Sequence, residues 1–217
     1  MNIPFDSILH LLHGAAAGSL ATQSLQMPGY PFASVLPFVL DERHRPVFLI
    51  SRLAEHTKNL LADGRACLLV HGADGQNVLQ DERASVLGDV RQIEASPELC
   101  ARYLRYHPDG ERYLALGDFA FFRMEPKGAR YIAGFGKMGW IEEADWIAAA
   151  ELPLGEEAKL IAELGDLDQS DLRVLGVDRH GADIEQAGKR RRLRFADAPV
   201  ASDRLAEAVK QSTLADN

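Results

Sequence analysis

In this 217-residue chain the pair best placed to do chemistry is Thr57 and Lys58, where a strand-like run gives way to helical spacing. The first turn of a helix leaves backbone N–H groups unpaired and carries partial positive charge, so a hydroxyl and an ammonium added there suit a phosphate. The stretch from Ser34 to Leu61 reads as strand, tight turn, strand and then that helix. Its apolar Val35, Phe38, Leu40, Val47, Leu49 and Ile50 offer a sheet surface to a flat ring. Together these features point to a phosphorylated aromatic cofactor.

Other polar groups read as structural. His10 and His13 lie three apart on one helix face, and with no third ligand nearby in sequence they are expected to be surface or capping histidines. His107 ends a helix, where an imidazole suits the dipole. In the run Lys189 to Phe195, alternation puts Arg190, Arg192 and Arg194 on one face of a strand and Arg191, Leu193 and Phe195 on the other. This predicts a solvated basic face rather than a nucleic-acid site. No Ser-His-Asp order, Walker glycine loop, paired-carboxylate site or metal-type spacing can be argued.

Composition narrows the classes. With 24 Lys and Arg against 32 Asp and Glu, the formal charge is 24 − 32 = −8, which disfavours sequence-independent binding to nucleic acid. Two cysteines, Cys67 and Cys100, are too few for a disulfide framework and favour a reducing compartment. No run reaches the ~18 apolar residues of a membrane span, and the N-terminus lacks a basic leader. A soluble cytoplasmic protein is expected.

The elements that must position the candidates follow from periodicity. Phe5 to Ala17 has helical spacing with Asp6 as its cap, Gly18 to Leu25 is strand-like, and two further strands pair across Asp41 to Pro46. Arg65 to His71 and Ala84 to Ile93 read as strands, with a turn at Asp74-Gly75 between them and a bulge at Gly88. Pro97 to Tyr106 reads as a helix, stopped by Pro108, and Phe119 to Met124 pairs with Ala129 to Phe135 as a hairpin across Glu125 to Gly128. Beyond Trp146 come a helix (Gly155 to Gly165), strands at Leu172 to Asp178 and Lys189 to Phe195, and a helix at Ala201 to Leu214. Six strands with few helices predict a barrel over residues 1–146, followed by a small α+β unit over 147–217.

The Ser34–Leu61 region resembles the flavin-binding part of the pyridoxamine 5′-phosphate oxidase-like split barrels. A second region, Arg102 to Trp140, is similar to the haem-utilisation branch of that family, through Tyr106-His107-Pro108-Asp109, Gly117 to Met124 and Ala133-Gly134-Phe135-Gly136. The resemblance implies a mainly β fold with helices, an FMN-type split β-barrel, acting as a homodimer with its cofactor between subunits. It implies that Thr57 and Lys58 hold the FMN phosphate, that Ser34, Val35, Leu36 and Pro37 line the isoalloxazine edge, and that Ile50 and Ser51 lie near the ribityl chain. Arg83 takes the place of a polar residue that reaches the flavin in such dimers. Ser34 stands where the oxidase carries an arginine, and the oxidase's C-terminal Trp and Arg have no counterpart, so vitamin B6 oxidation is not expected. Haem-utilising relatives bind haem at the dimer interface through a late histidine, which makes His180 the candidate by position and His107 the candidate by motif. Three readings stay open: an FMN-binding redox protein, a haem-binding or haem-degrading protein without flavin, and a cofactor-free regulatory or scaffold dimer.

Overall fold

A computed structural model describes residues 4–72, 80–134, 137–165 and 172–215. The expected turn at Asp74-Gly75 and the Phe135-Gly136 pair lie outside them. Helix α1 (Phe5–Gly14) buries Ile8, Leu9, Leu11 and Leu12 along one stripe and ends sooner than expected, because Ala17 already begins β1 (Ala17–Gln23). Pro4, not Asp6, holds its N-cap position. Then come β2 (Pro31–Pro37), β3 (Val39–Leu40), β4 (Pro46–Ser51), α2 (Glu55–Ala62), β5 (Arg65–His71) and β6 (Glu82–Gln92). Helices α3 (Pro97–Tyr106) and α4 (Gly110–Ala115), strands β7 (Phe119–Ala133) and β8 (Met138–Glu142), and α5 (Glu143–Ala148) complete the first layer.

These strands form one antiparallel sheet in the order β2-β1-β5-β6-β7-β4-β3, with β8 on the free side of β7. Its inner face carries Leu20, Phe48, Leu68, Val86, Phe122 and Met124, closed by Ile8 and Leu12 of α1 and Leu60 of α2. This is the expected mainly β split barrel. Two pairings differ from expectation. β2 pairs with β1, and only Val39 and Leu40 meet β4 across the Asp41–Arg45 turn. The expected hairpin over Phe119 to Phe135 is instead the single long strand β7. Its register against β6 jumps from Leu87↔Gly128 to Gly88↔Pro126, leaving Lys127 as the extra residue of a bulge that accommodates a proline without an N–H. Gly88 is required there, since a Cβ would overlap the Glu125 carbonyl oxygen.

A second layer holds α6 (Leu154–Leu164), β9 (Leu172–Val177), β10 (Gly181–Gln186), β11 (Lys189–Arg194), a 3-10 turn (Ser202–Arg204) and α7 (Leu205–Ala215). Its sheet runs β11-β10-β9, so the central strand is the one the sequence did not reveal. One face packs Val177, Ala182 and Phe195 under Leu164 of α6 and Leu205 and Val209 of α7. The other face turns Asp183, Arg190 and Arg192 toward α1 and α3. Cys67 and Cys100 are free thiols, and among the described residues no helix is long and apolar enough to cross a membrane.

Candidate functional site

The start of α2 is built from both ends of the expected cofactor segment. Ser34 Oγ lies 3.1 Å from His56 Nδ1, and Lys58 projects its ammonium outward. Thr57 is fully buried and donates its hydroxyl to the Ser51 carbonyl at 2.6 Å, so it is not the phosphate donor the resemblance implied. Ser51 in turn donates to Asp118 Oδ2 at 2.6 Å. Two buried polar atoms here have no hydrogen-bond partner, His56 Nε2 and Glu55 Oε1, and burial lowers the His56 pKa.

Strand alternation divides the expected ring-lining segment. Ser34 and Leu36 point inward and Leu36 joins the core, while Val35 and Pro37 point outward. Ile50 is likewise core. Arg83 lies on β6, three strand spacings or about 14 Å from β2, so one subunit does not bring it to the others. Its guanidinium donates to the Asp81 carbonyl at 3.3 Å.

Apart from Val35 and Arg83, the residues of the large sheet's outer face were not singled out by the sequence. Pairing aligns Val35, Ser19, Leu69, Ser85, Arg130 and Trp140 in one row across six strands. Val35 is 71% exposed and Trp140 57%, with Leu69, Leu87 and Met138 also exposed around them. The Arg130 guanidinium sits 5.9 Å from the Trp140 ring centroid. A neighbouring row aligns His71, Arg83, Ile132 and Met138. His71 is exposed, and its Nδ1 is 2.9 Å from the Gly72 carbonyl, which puts the proton on Nδ1 and a lone pair on Nε2. The result is an uncovered, largely apolar plate edged by cations and one imidazole.

The two histidines proposed from resemblance are elsewhere and serve structure. His107 Nε2 contacts the Phe38 carbonyl at 3.0 Å, tying the end of α3 to the barrel. His180 is 5% exposed, its ring edge-on to that of His44, and it offers no face to a porphyrin. Both belong to a buried polar layer between the two sheets. There Tyr106 donates to Asp183 Oδ2 at 2.6 Å, and Arg102 of α3 pairs with Glu157 of α6. Arg192 pairs with Asp178 and Asp183, and Arg190 stacks on Tyr106, so the face read as solvated is covered. His10 and His13, expected at the surface, are buried in the same layer. Burial and the nearby arginines push His10 down to about 3 and lower His13, while burial, with His13 and His180 beside it, takes His44 to about 3. A cavity of about 610 Å³ lies between β11 and α7.

Comparison with known proteins gives the lineage. The chloroplastic haem oxygenase HOZ of Arabidopsis thaliana is 33% identical over 162 residues, which are 72% of this chain and 50% of that protein, so the chain spans about half the length of this curated relative. A solved structure of a protein of unknown function from Agrobacterium tumefaciens superposes with a TM-score of 0.78 at 21% identity, covering 96% of this chain and 95% of that one. A haem binding protein from Mycobacterium smegmatis gives 0.63 at 23%, covering 99% and 98%. At such identities these two structures establish the fold, both layers included. The family model for the CREG β-barrel matches residues 9–148, from α1 through every strand of the large sheet to α5, and the chain belongs to that family.

Proposed function

We propose that this chain binds haem, as a homodimer, on the outer face of its large sheet. The observation that carries the reading is the 33% identity to a haem oxygenase over 162 residues. The surface supports it chemically. A porphyrin asks for an apolar plate, cations for its two propionates and a neutral imidazole for its iron. Leu69, Met138 and Trp140 supply the plate, Arg83 and Arg130 the cations, and His71 Nε2 the imidazole. Bound haem contributes the chemistry of its iron, and the chain contributes orientation and exclusion of water. The same exposed apolar row favours pairing of two copies, since monomers rarely leave such a plate open. Haemin titration of the purified protein should give a saturable Soret shift, and His71→Ala should abolish the histidine-ligated spectrum. An unsaturable response refutes haem binding, and an unchanged spectrum in the mutant refutes His71 alone. Loss of the Soret band under ascorbate and oxygen marks degradation, and its persistence marks binding only.

A second reading, FMN at the start of α2, is favoured by the unpartnered His56 Nε2 beside Lys58 and the open first-turn amides. Glu55 in the same turn opposes a phosphate. FMN that binds no better than riboflavin would remove this reading, because only the phosphate distinguishes them.

A further inference from the structure

Three side chains far apart in sequence aim one atom each at a common centre. His13 Nε2 lies 3.0 Å from His44 Nδ1 and 3.2 Å from Asp178 Oδ2, and all three atoms fall within 4.8 Å of one another. Ligands bound tetrahedrally at ~2.0–2.1 Å from zinc stand about 3.4 Å apart, close to this spacing.

Each group is also held from behind. His44 Nε2 faces the Ala150 carbonyl at 3.4 Å, and because a carbonyl only accepts, the proton sits on Nε2 and Nδ1 turns its lone pair to the centre. His13 Nδ1 faces Asp183 Oδ2 at 3.1 Å, which turns Nε2 inward. A carboxylate or carbonyl behind a ligating histidine is the usual support of a metal site. Asp178 is anchored through Oδ1, which accepts from the His180 and Gly181 amides at 2.7 and 3.1 Å, while Oδ2 points inward. Arg192 Nη2 touches both oxygens, at 2.9 and 2.7 Å, and Nη1 reaches Asp183 at 3.1 Å. This one guanidinium is shared by two buried carboxylates. Two imidazole nitrogens and a carboxylate oxygen thus converge on one small buried space.

An independent observation points the same way. His180 is buried against His44, with ring centroids 5.7 Å apart; its Nδ1 pairs with Asp6 Oδ1 at 2.8 Å, and its Nε2 is buried without a hydrogen-bond partner. Neutral imidazole and carboxylate ligands in a closed interior suit a structural zinc site.

We propose that His13, His44 and Asp178 bind a zinc ion, with the fourth position on the His180 side. Such an ion joins α1, the β3–β4 turn and the β9–β10 turn, and so fastens the small sheet to the barrel. None of the three ligands lies on the outer face proposed for haem, and the two readings stand or fall separately.

The test uses untagged full-length protein. Elemental analysis should give one zinc per chain. After stripping with a chelator, cobalt(II) should restore the visible ligand-field bands of a tetrahedral site, and zinc should raise the melting temperature. His44→Gln should lose the bound metal, and Asp183→Asn, which weakens the support behind His13 along with the Tyr106 and Arg192 contacts, should weaken zinc affinity about 10–100-fold. Circular dichroism identifies variants that fail to fold, and the stripped unmutated protein then decides the matter. If that protein is folded yet takes up neither zinc nor cobalt at micromolar concentration, the proposal is wrong. A doubly protonated His13 seen by nitrogen NMR in the metal-free protein, unchanged on adding zinc, overturns it equally.

Discussion

Replacing Glu157 by alanine is expected to destabilise the protein by about 3–5 kcal/mol, far more than the loss of one surface ion pair. Glu157 is 1% exposed, and its carboxylate accepts from Arg102, from Arg105 Nη2 at 2.9 Å and from the Val177 amide at 2.9 Å. Arg102 is 3% exposed. Without Glu157 it retains the Leu40 carbonyl at 2.7 Å and the Tyr106 hydroxyl at 3.3 Å, both neutral, so a buried cation loses its closest anion and the Val177 N–H loses its acceptor. A net stability of about 5–15 kcal/mol makes such a loss a third or more of the total for all but the stablest domains. Urea unfolding followed by circular dichroism measures it. Arg105→Ala is the control, because its side chain is a quarter exposed and its pair with Glu157 should contribute no more than about 1 kcal/mol. Glu157→Gln, which keeps the volume and one acceptor, should fall between. A Glu157→Ala protein within 1 kcal/mol of the original, or one no worse than Arg105→Ala, would refute the reasoning and show that apolar packing alone docks α6.

Three shorter expectations test other parts of the structure. Trp140→Glu places a charge in the exposed row of the large sheet and should convert a dimer of twice 23.9 kDa to monomer in light scattering; a protein monomeric before mutation removes the dimer proposal. Gly88→Ala forces a methyl against the Glu125 carbonyl and to 2.9 Å from Met124 Cγ, and should cost about 1–3 kcal/mol in urea; an unchanged midpoint means that the bulge relaxes freely. Tyr106→Phe removes the hydroxyl donated to Asp183 at 2.6 Å and should cost about 1.5–3 kcal/mol, the range for bonds to charged groups, with a value near zero showing that His13 and Arg192 satisfy Asp183 without it.

Where local chemistry sets an element, the sequence displays it. Helix α3 runs from Pro97 to Tyr106 as its pattern predicts, since Ser96 accepts the Leu99 amide at 3.2 Å and proline occupies the first helical position. β5 and the Gly88 bulge were equally legible. β10 was not, because Gly-Ala-Asp-Ile-Glu-Gln has little intrinsic strand preference and is held by neighbours on both sides. The parity of Arg190 and Arg192 was read correctly, but periodicity separates two faces without saying which is covered, and here α1 and α3 cover the basic one. The buried cluster lay beyond any spacing rule. His13 and His44 are 31 positions apart, and His13 and Asp183 are 170. One local sign existed, since His44 takes a left-handed conformation, φ 59°, in a turn where Asp41 Oδ1 accepts the amides of Arg43 and Arg45 at 3.0 Å.

Within the Arg102–Trp140 region that resembles the haem-utilisation branch, the end of α3 with Tyr106 and His107 proves to be a docking element. Tyr106 reaches Asp183 in the small sheet, His107 reaches Phe38 in the barrel, and Arg102 and Arg105, one turn earlier, hold Glu157 and the Leu175 carbonyl. The polar contacts of that helix end reach both layers, the barrel through Phe38 and Leu40 and the small-sheet layer through Asp183, Glu157 and Leu175. The motif therefore bears on how the small sheet seats on the barrel, while the proposed haem site draws on residues that alternate along strands and converge only through pairing. This separation gives a direct consequence for mutagenesis: changes in residues 102–107 should move stability, and changes at Leu69, His71, Arg83, Arg130 or Trp140 should move binding with the fold intact. A His107→Ala protein that loses haem binding while keeping its urea midpoint would reverse that assignment.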